Sequence, residues 1–383
     1  MLLKFGSKPV LIASSLEMAK EILKTHDAIF TSRPALAAGK YTSFNYSDIT
    51  WAPYGAYWPH ARKIYLTEVF NPKSLDSLEY IRIEERRILS DKYFSDHYDQ
   101  SNSDASILVR LARELKRMKA LGKNWTEFYK YVIEDHKSKR QTKKDFIPKD
   151  MIDVLLHLAD NPNLQIKLTA DNLMGLMHNF LTGGTDTSAA TIEWGFQELL
   201  RIPNIIEKAH QELDRAIGKE RWVEEKDFSQ LPYIDAIIKE TFRLHPLCAL
   251  LPPHYSTEDC TVAGYDIPKG TAAYINVWSI GRNSKYWDRP EEFIPERFIE
   301  NNIDMKGQNF SLLPFGSGRR RCLGYNFGIK VVRTTMADLL HGFNWKLAGN
   351  LEDISMEEIY GLTTHPKRPI SMIMEPRLPL HLY

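Results

Sequence analysis

The sequence of 383 residues has little cysteine and no excess of charge, and both shortages exclude classes of protein. Its three cysteines, Cys248, Cys260 and Cys322, include no C-x-x-C pair, which argues against a disulfide framework and against a zinc site of paired thiolates. Acidic and basic side chains nearly balance at a net charge of +1, so nothing indicates a surface that neutralises many phosphates. We therefore expect no nucleic-acid partner.

Long apolar runs are also missing. No stretch of about 18 apolar residues occurs, and Met1 is not followed by the charged region, apolar core and cleavage site of a signal peptide. As written, the sequence predicts neither a membrane span nor secretion. Apolar residues nevertheless make up 43% of the chain and aromatic residues 11%, which is enough to bury a large core.

The rest of the sequence predicts mostly helix. Apolar residues recur at helical spacing along much of the chain, while short alternating stretches around Gly6 and in residues 259–278 predict small β-sheets. The segment Thr169–Arg201 predicts one helix of about 50 Å, at about 1.5 Å per residue. Because such a helix crosses an entire domain, we expect a mainly α fold with small β-sheets, forming a single large domain over residues 1–383.

One cysteine has unusual neighbours. Cys322 lies between Gly318 and Gly324, directly after three arginines, and the segment after Gly324 is predicted to be helical. Glycines let backbone N–H groups approach the sulfur, and the helix N-terminus and the arginines both favour a thiolate. Such a thiolate can be a redox nucleophile, a zinc ligand or an iron ligand. No nearby second cysteine or H-x-x-H motif supports the first two, which leaves haem iron with an axial thiolate.

Five fixed positions around this cysteine form F-x-x-G-x-R-x-C-x-G, which resembles the haem-binding signature of the cytochromes P-450. Further motifs of that family occur upstream in the family's order, and residues 256–271 and 357–383 resemble its plant microsomal members. The matched residues are Trp58 and Arg62 (W-x-x-x-R), Gly183 to Ser188 ([AG]-G-x-[DE]-T-[TS]), Glu240 and Arg243 (E-x-x-R), Pro295 to Phe298 (PERF), and Phe315, Gly318, Arg320, Cys322 and Gly324.

This resemblance implies a cytochrome P-450 fold and a haem-thiolate monooxygenase. The expected cofactor is haem b (heme b, iron protoporphyrin IX). The expected reaction inserts one atom of O₂ into a small hydrophobic plant metabolite, a terpenoid, steroid or phenolic compound. Electrons would come from NADPH through a flavoprotein, NADPH-cytochrome reductase. The basic residues Arg319, Arg321 and Lys330 are candidates for docking this acidic partner, with ordinary solvated charge as the equal alternative.

The resemblance also implies site residues. Cys322 would ligate the metal, and Asp186 and Thr187 would be catalytic, relaying protons to the distal oxygen. The alternative for Thr187 is a packing role, with its hydroxyl bonded back to the carbonyl of Gly183. For Trp58 and Arg62 the alternatives are a core aromatic and a surface cation. The expected cofactor-binding residues are Trp58, Arg62, Gly183, His254, Phe315, Arg320 and Gly324.

The E-x-x-R motif allows two interpretations. If Glu240 and Arg243 are exposed, the pair is worth only about 0.2 to 0.5 kcal/mol. If they are buried, each charge needs further hydrogen bonds, and Arg297 of the PERF motif can supply the third member. The resemblance implies that this triad braces the fold near the thiolate loop.

The sequence departs from the family in two places. Plant microsomal members begin with a membrane anchor that this chain lacks, so the endoplasmic reticulum membrane, cytosolic face, is expected by resemblance, with the cytoplasm as the alternative. Several family helices, part of the roof over the substrate, have no counterpart around residues 95–108. We expect an incomplete fold, truncated at the N-terminus and before the long central helix. The remaining segments expected to face substrate are Lys40–Asp48, Asn179–Gly183, Leu247–Leu251 and Gly361–Thr364.

A truncated chain raises a second hypothesis, a catalytically silent haem-binding relic. A site without its roof admits water, which weakens the desolvated environment that such chemistry uses. A third hypothesis, an oxygen-independent haem isomerase or dehydratase, is disfavoured because Asp186 and Thr187 are kept. The substrate, its site of oxidation, membrane attachment and oligomeric state are not predicted.

Overall fold

The computed structural model describes residues 1–80, 82, 107–141, 148–162, 164, 166–301 and 303–383. We predicted that family helices are missing around residues 95–108. Almost all of that region falls outside the described residues, so this stays a prediction. The chain divides into two compact units, one of residues 1–32 with 184–383 and the other of residues 33–183. The mainly α character with small β-sheets is confirmed. A single domain over residues 1–383 stays a prediction.

The secondary-structure elements of the described residues are numbered here in chain order. The α-helices are α1 (Leu16–Lys20), α2 (Ala37–Tyr41), α3 (Tyr57–Ile64), α4 (Pro72–Ser77), α5 (Ile107–Gln141), α6 (Met151–Ala159), α7 (Ala170–Gly184), α8 (Asp186–Arg201), α9 (Pro203–Ala216), α10 (Pro232–Leu244), α11 (Val277–Gly281), α12 (Arg297–Glu300) and α13 (Tyr325–Gly342). The strands are β1 (Leu2–Phe5), β2 (Lys8–Ala13), β3 (His254–Tyr255), β4 (Cys260–Val262), β5 (Tyr265–Ile267), β6 (Ala272–Ile275), β7 (Phe343–Leu347), β8 (Glu358–Tyr360), β9 (Thr364–Pro366) and β10 (Met372–Pro376).

The sheets all lie in the unit of residues 1–32 and 184–383. The largest has four strands in the order β1-β2-β6-β3, and the three two-stranded sheets pair β10 with β7, β4 with β5, and β8 with β9. The turn of the first hairpin passes through Gly6, whose φ of +60° is a conformation that glycine adopts at little cost. Strands β2 and β6 run parallel, with Val10 opposite Ala272.

The core of this unit is built from the apolar stripes of α8, α9, α10 and α13. Leu199, Leu213, Ile237 and Leu340, one from each helix, are fully buried. Burying side chains of this size stabilises a fold by roughly 1.5 to 3 kcal/mol each. Gly195 allows α8 to approach α13, because a Cβ at that position would lie 2.5 Å from the side chain of Met336.

The prediction of one uninterrupted helix over Thr169–Arg201 is wrong. Helix α7 ends at Gly184, α8 begins at Asp186, and Thr185 between them has φ −92° and ψ −65°. Two adjacent glycines followed by threonine and aspartate are poor helix formers, and glycine pairs are a frequent cause of helix interruption. The interruption falls next to the Asp186–Thr187 pair.

The predicted charge triad is confirmed. The Arg243 Nε and Nη2 donate to the two carboxylate oxygens of Glu240 at 2.7 and 2.8 Å, and the Arg297 Nε donates to Glu240 Oε1 at 3.0 Å. The Glu240 and Arg243 side chains are fully buried. The carbonyl of Gly281 accepts a further bond from Arg243 at 2.6 Å. The exposed-pair interpretation is therefore excluded, and the charges are held as a buried hydrogen-bonded network.

The unit of residues 33–183 is helical. Tyr65 follows α3, is buried, and donates its hydroxyl to the carbonyl of Leu176 on α7 at 2.7 Å. A Cβ at Gly175 would lie 2.6 Å from the carbonyl of Ser47, so glycine lets the loop before α3 lie directly on α7. Among the described residues, no helix combines the length and the apolar character that crossing a bilayer requires.

Candidate functional site

A glycine-bounded loop carries Cys322 to the start of α13. Gly316 and Gly318 have φ of +66° and +71°, and a Cβ on Gly318 would lie 2.3 Å from the carbonyl oxygen of Leu23. The backbone N–H of Cys322 donates to the carbonyl of Phe315 at 2.9 Å, which closes the loop. The Cys322 side chain is exposed and lies three residues before α13, where the helix dipole favours a thiolate.

The arginines before the cysteine are tied to the surrounding chain. Arg319 donates from Nε to Asp27 Oδ2 at 3.1 Å, and its backbone N–H donates to Asp27 Oδ1 at 3.0 Å. Arg321 lies over the ring of Tyr325, with its Cζ 4.1 Å from the ring centroid. The positive charge near Cys322 is therefore partly balanced by one carboxylate.

Two of the predicted haem-contact residues meet on the segment Phe30–Thr31. Arg320 donates from Nε to the carbonyl of Thr31 at 2.5 Å. His254 is 5% exposed, and its Nδ1 lies 2.9 Å from the carbonyl of Phe30. Because a carbonyl only accepts, Nδ1 carries the hydrogen. The Arg320 guanidinium and the His254 imidazole thus contact the same segment. The guanidinium is the group suited to a carboxylate, because a neutral imidazole with its hydrogen on Nδ1 has an acceptor at Nε2.

The ring of Phe315 links the thiolate loop to the buried triad. Its centroid lies 5.5 Å from that of Phe242 on α10 and 6.4 Å from that of Tyr325 on α13. Both arrangements are edge-to-face, which aromatic pairs prefer. Gly324 is the N-cap residue of α13. The loop is therefore braced on one side by the helix that carries Glu240 and Arg243.

The catalytic candidates Asp186 and Thr187 open α8 in the same unit as the thiolate loop. The pKa of the nearby Cys248 thiol is raised to about 11, first by burial and then by the charges of Cys322 and Asp186. The Cys248 thiol therefore lies close enough to Cys322 and to Asp186 for their charges to raise its pKa. The Thr187 carbonyl accepts a hydrogen bond from Thr191 Oγ1 at 2.8 Å.

Glycine leaves open space at the end of α7. Apart from the glycine itself, its chain neighbours and the backbone of the same helix, no heavy atom of the described residues lies within 4 Å of a Cβ built on Gly183, and the same holds for Gly184. Side chains of ordinary size would occupy this space. The expected cofactor contact of Gly183 stays a prediction.

Trp58 and Arg62, the remaining candidates, lie on α3 in the other unit. Trp58 is 3% exposed and donates its indole N–H to the carbonyl of Ile49 at 2.9 Å. The Arg62 Cζ lies 5.5 Å from the Trp58 ring centroid. The structure thus gives Trp58 the environment of a core aromatic, and a haem contact of this pair stays a prediction.

Sequence analysis missed one side chain in the described site. His365 on β9 lies 3.2 Å from Asp186, measured from Nε2 to Oδ2, and Thr363 Oγ1 donates to the same carboxylate oxygen at 2.9 Å. Thr363 belongs to a segment predicted to face substrate. His365 lies in the stretch 357–383 that resembles plant microsomal members, but it belongs to none of the short motifs, so no local signal assigned it a role.

The donor set around Cys322 fits haem better than a protein-ligated metal. Among the described residues, the cluster with the spacing of a metal site is His136, Asp150 and Asp153, which does not include Cys322. Asp150 is explained otherwise, since it caps α6 by accepting from two backbone N–H groups. A single accessible thiol, with a guanidinium and an imidazole nearby, suits a cofactor that supplies its own ring of ligands and carries carboxylates.

Comparisons with known proteins agree with this donor set. The family profile described as Cytochrome P450 matches residues 1–113 and 93–372. The chain is 38% identical to cytochrome P450 71A1 of Persea americana over 435 positions, covering 98% of this chain and 87% of that protein. It is 35% identical to flavonoid 3'-monooxygenase of Petunia hybrida over 447 positions, covering 100% of this chain and 86% of that protein.

A solved zebra fish cytochrome P450 with progesterone superposes with a TM-score of 0.83 and covers 98% of this chain and 96% of that one. At 24% identity this likeness concerns the fold alone. The alignment of 435 positions with the Persea americana protein is longer than the chain of 383 residues, so that relative has residues without a counterpart here.

Proposed function

The chain belongs to the cytochrome P450 family, and from this premise we propose that it oxygenates a small hydrophobic plant metabolite with electrons from a flavoprotein reductase. As a member of this family it is a monooxygenase with a haem cofactor. The observation that supports the proposal most is the placement of Cys322, an accessible thiol at the start of α13 in a loop that only glycine can form.

The reaction balances with NADPH as the reductant. One molecule each of O₂, substrate and NADPH, with one proton, yields oxygenated substrate, water and NADP⁺. One oxygen atom enters the substrate, and the other leaves as water after taking up two electrons and two protons. When bound, haem would supply the oxygen-activating iron, and a Cys322 thiolate holding that iron would favour O–O cleavage.

The residues around the thiolate loop have separate tasks in this proposal. Cys322 ligates the iron, and Gly324 lets α13 begin beside the sulfur. Arg320 would donate to a cofactor carboxylate, where charge-assisted bonds are among the stronger ones, and His254 would do so when Nε2 is protonated as well as Nδ1. Phe315 fixes the loop against α10 through Phe242. Gly183, Trp58 and Arg62 keep their expected haem contacts as part of the proposal.

Asp186 and Thr187 move protons. A carboxyl and a hydroxyl group at adjacent positions can receive a proton from solvent and pass it on, which is general acid catalysis by positioned groups. Asp186 is suited to exchange with water because its side chain is 51% exposed. This role distinguishes oxygen activation from an oxygen-independent isomerase or dehydratase.

We propose a phenolic compound as the first substrate class to test. The name of the Petunia hybrida relative describes a flavonoid as its substrate. Apolar side chains in the segments expected to face substrate are exposed, including Leu250 at 42% and Leu362 at 60%. Such side chains can pack against the flat hydrophobic rings of a phenolic compound. A terpenoid and a steroid are the comparison substrates.

The proposed electron donor is NADPH-cytochrome reductase, and the proposed location is the cytosolic face of the endoplasmic reticulum membrane. Arg319, Arg321 and Lys330 surround the thiolate loop, but Lys330 bonds to Glu225 at 2.5 Å and Arg319 pairs with Asp27. An acidic reductase surface would therefore compete with these existing ion pairs, so we expect docking to weaken with salt.

One observation favours the second candidate, a catalytically silent haem-binding relic. The alignment with the Persea americana protein leaves residues of that relative unmatched, as described above. If those residues are needed to exclude water from the site, haem binding would survive without turnover.

Reconstitution separates the two candidates. The haem-loaded protein is mixed with plant NADPH-cytochrome reductase, NADPH and a flavonoid, a terpenoid or a steroid, and products are identified by mass spectrometry. The proposed function predicts substrate-dependent NADPH oxidation and a product heavier by one oxygen atom, both absent from Cys322→Ser. Haem uptake with no turnover on any substrate class would identify the relic instead.

A further inference from the structure

Two side chains of the β8–β9 hairpin converge on one oxygen of Asp186. Thr363 Oγ1 donates to Asp186 Oδ2 at 2.9 Å, and His365 Nε2 lies 3.2 Å from the same oxygen. Thr363 Oγ1 and His365 Nε2 are themselves 2.9 Å apart. The three polar groups therefore form a closed cycle of contacts, in which Thr363 is hydrogen-bonded to both partners and His365 lies at ion-pair distance from Asp186.

The hydrogens of this cycle can be assigned. A threonine hydroxyl has one hydrogen, and Thr363 donates it to the carboxylate. His365 Nε2 must then carry the hydrogen of its bond to Thr363 Oγ1. Asp186 Oδ1 takes part in neither of the contacts to Asp186. The cycle thus restrains the carboxyl group at one oxygen and leaves the other outside the cycle.

The hairpin that supplies these groups is itself anchored. The Thr364 N–H donates to the carbonyl of Leu247 at 2.7 Å, and its carbonyl accepts from Trp194 Nε1 at 3.2 Å. Trp194 is a fully buried residue of α8, the helix that begins with Asp186. Thr363 and His365, on either side of Thr364, are therefore held in register with the start of α8.

The charged groups near the cycle are few in the described part of the chain. Burial raises the pKa of Glu193, which lies two turns along α8, and the nearby His365 opposes that rise. Burial raises the pKa of the Cys248 thiol in the loop after α10 to about 11, and the charges of Cys322 and Asp186 add to this rise. The His365 imidazole is therefore a neighbour of both acidic side chains, Asp186 and Glu193, on one face of α8.

We propose that Thr363 and His365 are positioning residues that hold the Asp186 carboxyl group for proton delivery. The β8–β9 hairpin, which is expected to contact substrate, then also determines what fraction of the electrons is used to form product. This inference rests on the proposed monooxygenase function. A substrate that seats against Gly361–Thr364 leaves the cycle intact. A substrate that displaces the hairpin tip breaks it, and electrons then reach hydrogen peroxide in place of product.

Paired variants test the two bonds. Thr363→Val removes the hydroxyl at constant shape, whereas Thr363→Ser keeps it. His365→Leu removes the donor, whereas His365→Gln places an amide N–H near the position of Nε2. Thr261→Val is the matched control, because it deletes a threonine–carboxylate bond of 3.0 Å to Asp266 on the separate β4–β5 hairpin.

The first readout is coupling, the fraction of NADPH electrons recovered in product. We expect Thr363→Val and His365→Leu to lower it roughly threefold to tenfold, about the effect of one positioning hydrogen bond on a rate. The conservative variants and Thr261→Val should stay within about twofold of the parent protein. The carbon monoxide difference spectrum of every variant should keep the band of thiolate-ligated haem.

The second readout needs no turnover. Hydrogen–deuterium exchange of residues 358–366 should be faster by roughly fivefold in Thr363→Val and His365→Leu, because local opening costs less once the bonds are gone. Exchange there should be unchanged in Thr261→Val. Normal coupling and normal exchange in both bond-removing variants would overturn the inference while the proposed function stands. A parent protein that turns over no substrate would overturn the proposed function, and the positioning role with it.

Discussion

Removing the Glu240 carboxylate is the perturbation whose cost follows most directly from the structure. Glu240 accepts four hydrogen bonds, two from Arg243, one from Arg297 and one from the backbone N–H of Ile294 at 2.7 Å. In Glu240→Ala, Arg243 keeps its bonds to backbone carbonyls, including that of Gly281, but has lost its counter-ion. A buried charge left without its partner costs about 3 to 5 kcal/mol.

That cost is large against the whole free energy of unfolding, which is about 5 to 15 kcal/mol for a typical domain. Glu240→Gln keeps one acceptor oxygen and loses the charge, so we expect roughly 1.5 to 3 kcal/mol, the worth of a charge-assisted bond. The chain offers a matched control in the exposed E-x-x-R pair of Glu114 and Arg117 on α5, whose atoms are 2.9 Å apart. Glu114→Ala should cost less than about 1 kcal/mol.

Urea unfolding, followed by tryptophan fluorescence and by haem absorbance, measures all three variants. The expected order of destabilisation is Glu240→Ala, then Glu240→Gln, then Glu114→Ala, with haem lost in the same order because Phe242 and Phe315 join the triad to the thiolate loop. A Glu240→Ala protein that unfolds within about 1 kcal/mol of the parent would refute the reasoning from burial.

Three further predictions concern other parts of the chain. Gly318→Ala should destabilise the protein and lower haem retention more than Gly264→Ala, because both have positive φ but only Gly318 packs against a backbone oxygen; equal urea midpoints would contradict this. Thr187→Ala should raise hydrogen peroxide release per NADPH, and Thr187→Ser should restore coupling; unchanged peroxide release would exclude the proton role. Burial lowers the pKa of His178 to about 4 in the folded protein, whereas in the unfolded chain it is about 6.5. Between these two pH values the unfolded state binds more protons than the folded state. Acidification from pH 6.5 to 4 therefore lowers the free energy of unfolding by up to about 3 kcal/mol. The stability lead of the parent over His178→Gln should shrink from pH 6.5 to 4, and a constant lead would contradict the assignment.

Much of the site could be predicted because its parts are local in sequence. The glycines around Cys322 and the spacing of Glu240 and Arg243 are short-range patterns with a physical meaning, and the structure shows the triad and the loop directly. The break at Thr185 was missed because helical spacing continues across it, although Gly183 and Gly184 weaken the backbone there.

The contacts of Asp186 could not be predicted from local patterns. Thr363 lies 177 residues further along the chain, and nothing in the short strand β9 indicates that it returns to the start of α8. The anchoring of Thr364 by Trp194 and Leu247 is likewise a product of packing. The cofactor contact that its motif predicted for Trp58 stays a prediction, and the structure shows its indole N–H bonded to the carbonyl of Ile49.

The central claim is that the Cys322 sulfur is the protein ligand to haem iron, and the carbon monoxide difference spectrum of the reduced protein tests it most directly. We predict one haem b per chain with the band of thiolate-ligated haem, and loss of that band in Cys322→Ser but not in Cys248→Ser or Cys260→Ser. A parent protein that takes up no haem, or a Cys322→Ser variant that keeps the band, would contradict the claim.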